Sequence, residues 1–288
     1  MYYLLGDDAS HTTICRLAVP YLDGDPARAG RPAWKHAYNR YLSSLQPHIP
    51  RRRGWGPELV DDHALEERLI RGFYSESSLD DLPRYRDDTF FDHGDHLRAE
   101  IRADAAYLRV ALDEFAARDP EFWAFFGLLV NFVLCPRSRY SRGGADSDAI
   151  GVIYMCEPRG LAPQDLYELF VHESTHNIYF LDERIYGHYR SYRALPEPDN
   201  WCRAVMSGLR RPLDKVLHSL LVTTEVLLHR EHGLGHDGET RVHGPTRELA
   251  ASAGESIAAL RAMPNYHALL TDRAIHLIDR CADVMAAL

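Results

Sequence analysis

The sequence predicts a mainly α fold with a small β-sheet, an α+β arrangement built around one central helix. Three observations lead there. From residue 98 onward apolar residues recur at helical spacing in successive long segments. One short β-rich run, Ala149 to Cys156, stands out among them. Before that point Pro20, Pro26, Pro32, Pro47, Pro50, Pro57 and Pro83 cut the chain into short pieces. The texture therefore divides the chain into an irregular helical region over 1–97 and a helical domain over 98–288.

Each element has its own warrant. Ile101, Ala105, Leu108, Leu112 and Phe115 form one apolar stripe, so a helix runs from about residue 98 to Ala117 and stops at Asp119-Pro120. Glu121 to Leu134 is apolar on all sides and reads as a buried helix that Cys135-Pro136 ends. A polar loop with Gly143-Gly144 follows, then the strand at 149–156. Pro163 suits a first helical turn, and Gln164 to about Ile185 reads as the central helix. Pro212 opens another helix, closed near His232 by Gly233 and Gly235. Two more, roughly Thr246 to Met263 and Tyr266 to Leu288, are split by Pro264-Asn265.

Composition narrows the function classes. The chain has 288 residues, 45% hydrophobic and 26% charged, which suits a globular protein with a sizeable core. Its 33 Lys and Arg face 42 Asp and Glu, a formal net charge of −9 that argues against nucleic acid or an anionic membrane as partner. The longest apolar stretch, Phe122 to Cys135, is broken by Gly127 and Asn131 and is too short to span a bilayer. The start lacks a basic segment followed by a long apolar one, so no signal peptide is expected. Cys15, Cys135, Cys156, Cys202 and Cys281 are scattered and never in CxxC spacing, which points to the reducing cytoplasm.

The chemistry centres on His172-Glu173-Ser174-Thr175-His176, an HExxH motif. Histidines at i and i+4 share a helical face and can reach one divalent metal. Glu173 leans to the same side, as a base or as an acceptor behind a ligand. With 16 histidines in the chain, chance gives on the order of 0.06 such matches. The frame of Leu169, Phe170, Val171, Ile178 and Phe180 is apolar, and imidazoles and a carboxylate there need a partner. This makes 98–288 the metal-binding catalytic domain.

The third ligand decides the class. Tyr179 and Asp182 stand where the metzincin extension needs Gly and His, so that class is excluded. Glu225, the gluzincin-type choice, and His218 compete on the Pro212 helix. Seven residues apart, they are separated by about 10 Å along the axis, so only one can join the site.

Three stretches resemble a known family: Gly151-Val-Ile-Tyr154, Leu166 to Phe180 around the motif, and Arg211-Pro212-Leu213 leading to His218. They are similar to the HExxH-type 2-oxoglutarate-dependent peptide β-hydroxylases, bacterial enzymes that modify ribosomally made precursor peptides. The resemblance covers roughly residues 100 to 230 and implies His172, His176 and His218 as iron ligands. It implies Arg211 as the cation for the keto acid and a non-basic role for Glu173 beside the metal. The family's Trp-Arg pair is here set further from the Arg-Pro-Leu segment, at Trp201 and Arg203.

The residue chemistry agrees with that resemblance. Three protein ligands on one face leave three positions for a chelating keto acid and O₂. An arginine fork suits the distal carboxylate, near a helix start that also favours an anion. The expectation is an Fe(II)/2-oxoglutarate-dependent oxygenase hydroxylating a peptide or amino-acid-like substrate. The alternative is a zinc metallopeptidase with Glu173 as general base. Lesser clusters are His229/His232/His236 at a helix end, Asp92/His93/Asp95/His96 in a polar loop, and Arg51-Arg52-Arg53 beside Trp55. Tyr179, Tyr186, Tyr189 and Tyr192 read as packing or pocket wall.

Overall fold

The computed structural model describes residues 2–74, 91–92, 95–138, 141–236, 240 and 242–288. The N-terminal part supplies α1 (Asp7–Ala18), α2 (Arg31–Leu45), β1 (Glu58–Leu59) and α3 (His63–Ile70). There follow α4 (Arg98–Arg118), α5 (Pro120–Leu129), β2 (Phe132–Leu134), β3 (Gly143–Ala145), β4 (Val152–Met155) and α6 (Pro163–Tyr186). Then come β5 (Cys202–Arg203), β6 (Arg210–Arg211), α7 (Leu213–His229), α8 (Thr246–Arg261), α9 (Tyr266–Leu269) and α10 (Asp272–Ala287). The fold is mainly α with a small mixed sheet.

That sheet has the order β1-β2-β4-β3. β1, β2 and β4 run parallel, and β3 pairs antiparallel with β4 at the edge. Alternation along the strands sends side chains to two apolar layers. Phe132, Leu134, Val152 and Tyr154 pack in a smaller cluster with Val60, Leu69 and Phe91. Val133, Ile153 and Met155 face the main core under α6. Both faces are covered, as buried parallel strands require.

Three sequence expectations change here. The apolar run 121–134 is not one helix: α5 ends at Leu129, Val130 turns extended, and Phe132-Val133-Leu134 becomes β2. Helical and buried-strand runs look alike when apolar on all sides, and only pairing with β4 decides. The Gly143-Gly144 loop is likewise the edge strand β3. The texture change at residue 97 does not separate two packed bodies. β1 pairs with β2, and Tyr2, Leu42 and Leu59 share one core with Leu108, Phe126, Phe170 and Leu220.

The central helix is longer than expected by a residue at each end. Pro163 starts α6, and Gly187, at φ 64°, ends it in the left-handed region. Leu166, Phe170, Val171, Ile178, Tyr179 and Leu181 are almost wholly buried. Each contributes about 1.5–3 kcal/mol, which is what carries the polar motif between them out of water. Gly151 ties the sheet to this helix. Its N–H donates to Asn177 Oδ1 at 2.6 Å, its φ is +88°, and a Cβ there would meet Asn131 Nδ2 at 2.9 Å.

Candidate metal centre

His172, Glu173 and His176 come together on α6 as the helical spacing requires. One donor atom from each lies within 4.8 Å of the others, a group able to hold a metal ion. They open on a cavity of about 800 Å³ whose wall includes Tyr154, Phe180, Glu183, Tyr192, Arg211, Lys215 and His218.

His218, from α7, lies outside this group of three and contacts only its His176 member. The two Nδ1 atoms are 3.2 Å apart and the rings lie nearly parallel, at 15°. Two imidazole nitrogens at about 2.0–2.1 Å from one metal, at tetrahedral or octahedral angles, stand about 2.8–3.4 Å apart. The spacing therefore fits two ligands of one ion. Without an ion, one ring donates its N–H to the other.

Burial sets the charge states. It pushes the pKa of His172 well below the usual imidazole range, helped by His243 and His176. The same cause, followed by the charges of His218, Lys215 and Arg211, lowers His176. Both rings are thus neutral and able to donate lone pairs. Burial also raises the Glu173 carboxyl well above its usual value. Glu173 Oε2 is buried with no hydrogen-bond partner among the described residues, and Oε1 sits 4.0 Å from His172 Nε2. An orphaned carboxyl oxygen beside bare imidazoles fits a cation. The edge strand makes room for it, since a Cβ on Gly143 would come 2.6 Å from Glu173 Oε1.

Arg211 stands on β6, just ahead of α7 and its N-cap Pro212. Strand alternation separates it from its neighbour. Arg210 donates to the carbonyls of Pro198 and Trp201, while Arg211 reaches the cavity wall. Lys215 joins it one turn into α7. Arg203, by contrast, is used structurally, bonding Gly208 O and pairing with Glu255 at 2.9 Å.

Glu225 does not take part, which corrects the gluzincin-type alternative. Its Oε1 accepts from Tyr3 N at 2.7 Å and its Oε2 from Leu4 N at 2.9 Å. Its role is to hold the start of the chain against α7. The lesser clusters also resolve into packing. His232 stacks on Tyr3 and His229 meets the same ring edge-on, and His236 bridges Glu231 and Thr246. Arg51 bonds Ile150 O and Leu42 O, and Arg52 bonds the carbonyls of Gly56 and Pro57. Asp92 and His96 form an exposed 3.8 Å pair; His93 and the side chain of Asp95 lie outside the described residues. Tyr179 is buried in the core, whereas Tyr189 and Tyr192 line the cavity.

Three contributors escaped the sequence reading. Glu183 faces His218 Nε2 at 3.8 Å and accepts the Tyr192 hydroxyl at 2.8 Å. Lys215 adds a second cation, and its position three residues before His218 was the available signal. His243, in the loop before α8, puts Nε2 at 2.8 Å from His172 Nδ1. Nothing local in the sequence marks it.

No protein-family model matches the chain, and no curated protein matches it.

Proposed function

We propose that this protein is an Fe(II)/2-oxoglutarate-dependent oxygenase that hydroxylates a peptide or amino-acid-like substrate. His172, His176 and His218 would hold the metal, and Arg211 would receive the distal carboxylate of the keto acid. One observation carries the reading: His218 meets His176 at 3.2 Å beside a cavity whose wall also holds Arg211 and Lys215. Iron with a chelated keto acid would activate O₂, the oxidant, so that one oxygen atom goes to an unactivated carbon and the other to the keto acid, which leaves as succinate and CO₂. The chain's own residues do the rest. The neutral imidazoles offer lone pairs, and Arg211 with Lys215 gives a dianion a fixed counter-charge. Glu173, whose carboxyl burial biases toward its protonated form, can orient a ligand or water rather than remove a proton. Phe180 and Tyr154 add apolar surface to an otherwise largely polar wall. Five unpaired cysteines suit a cytoplasmic enzyme. The experiment is anaerobic addition of Fe(II) and 2-oxoglutarate: a charge-transfer absorption, and succinate once O₂ enters, support the proposal. Their absence defeats it.

The position of Glu173 favours a second reading, a zinc metallopeptidase. Its carboxyl lies against the edge strand β3, where it could take a proton from a hydrolytic water. The same metal ligands would serve. Peptide hydrolysis with zinc and no demand for O₂ or keto acid distinguishes this case, and Glu173→Gln would then abolish turnover. No helix among the described residues is long and apolar enough to cross a membrane.

A further inference from the structure

Behind His172, on the side away from the cavity, lies a buried chain of polar groups. His243 Nε2 is 2.8 Å from His172 Nδ1, with the rings stacked at 25°. His243 Nδ1 is 3.1 Å from Glu168 Oε2. Glu168 takes a two-pronged contact from Arg230, whose Nε and Nη2 donate to its two oxygens at 2.8 Å each. Glu168, Arg230 and His243 are each no more than 3% exposed. The loop is held in place independently: Val242 N donates to Asp165 Oδ1, and Arg230 Nη1 donates to Gly244 O.

The proton on His243 Nδ1 follows from the far end of this chain. Burial opposes the ionised form of Glu168, but the bonds from His243 and Arg230 and the charge of Arg230 outweigh it, holding its pKa down at about 2. An ionised carboxylate only accepts, so His243 Nδ1 carries the hydrogen. With the His243 ring neutral, Nε2 is the acceptor. His172 Nδ1 then donates to it, and the lone pair of His172 is left on Nε2, the nitrogen on the side of Glu173.

We propose that His243 is a positioning residue which, backed by Glu168 and Arg230, locks His172 in the Nδ1–H tautomer and fixes its ring so that Nε2 faces the metal. This rests on the reading of His172 as a ligand. Partners of this kind behind a ligating histidine typically change metal affinity 10–100-fold.

The test compares wild type with His243→Phe, which keeps a stacked ring without an acceptor, and His243→Gln, whose amide can accept from His172 and donate to Glu168. Two readouts are used on the full chain. Long-range ¹H–¹⁵N correlation of histidine-labelled apo protein reports the His172 tautomer. Competition with a chelator for Co(II) reports affinity, and the ligand-field spectrum reports geometry. Expected is the Nδ1–H form in wild type and in His243→Gln. In His243→Phe that form is lost, and Co(II) affinity falls 10–100-fold with an altered spectrum and unchanged far-UV circular dichroism. If His243→Phe unfolds, the tautomer of wild-type His172 and the His243→Gln affinity still decide. An Nε2–H form in wild type, or equal Co(II) affinity in a folded His243→Phe, overturns the proposal. Wild type that takes up no Co(II) at all instead overturns the metal reading beneath it.

Discussion

His218 and Glu225 stand seven residues apart on α7 and are both buried, yet substitutions at the two should fail in opposite ways. Glu225→Ala removes the acceptor for two backbone N–H groups, at 2.7 and 2.9 Å. Each buried donor left unsatisfied costs about 1–3 kcal/mol, so a loss of about 2–6 kcal/mol is expected for the two. For a chain of this size that is about 2 °C of melting temperature per kcal/mol, hence a drop of roughly 4–12 °C. Metal affinity of the folded fraction should stay within about twofold, because the carboxylate lies off the cavity. His218→Ala removes one of two imidazoles spaced for a single ion. It should cut metal affinity by at least about 100-fold, the loss of one of three ligands, while thermal stability of the apo protein changes far less. Thermal melts of apo protein and chelator competition on each variant provide both numbers. If Glu225→Ala strips the metal from folded protein while His218→Ala retains it, the assignment of the third ligand is refuted.

Other outcomes follow from the same geometry. Arg211→Ala should raise the KM for 2-oxoglutarate about 30- to 150-fold, the worth of a charge-assisted contact of about 2–3 kcal/mol, with iron affinity unchanged; steady-state kinetics over keto-acid concentration check this. Gly143→Val should lower turnover in a folded protein, since even a Cβ there meets Glu173 Oε1 at 2.6 Å; activity beside circular dichroism separates the two effects. Metal affinity should be flat as pH falls from 7.5 to about 6, because burial keeps the folded pKa of His172 and His176 well below 6.5. Groups with lowered pKa contribute stability that is present above their unfolded value and lost as pH falls through the folded one. Apo protein should accordingly lose stability as pH falls below about 6.5. Glu173 runs the other way: its raised pKa adds stability that is complete below about 4.5 and lost as pH climbs through the folded value. Comparing the pH-stability curve of Glu173→Gln with wild type isolates that part.

What was legible in the sequence is what depends on local spacing. Helix periodicity gave α4, α6 and α7 to within a few residues, and i,i+4 spacing put His172 and His176 on one face. What was hidden depends on contacts far along the chain. The run 121–134 shows the same apolar signal whether it is helix or buried strand, and only β1 and β4 on either side make Phe132–Leu134 a strand. Glu225 looked like a ligand because its partners, the backbone amides of Tyr3 and Leu4, carry no sequence signature. His243 lies 71 residues beyond His172 in the chain and is brought to it by the Glu168–Arg230 pair, itself a long-range contact. The resemblance already pointed to Arg211 rather than Arg210, and β6 supplies the physical reason by giving the two opposite directions.

The central claim is that three histidines hold iron beside a cation that takes the keto acid. Its most direct measurement is the visible spectrum of anaerobic protein titrated first with Fe(II) and then with 2-oxoglutarate, in wild type, His218→Ala and Arg211→Ala. The account predicts a charge-transfer band at one iron per chain in wild type, its loss in His218→Ala, and its appearance only at much higher keto-acid concentration in Arg211→Ala. Iron bound without any such band, or a band unaffected by either substitution, would contradict it.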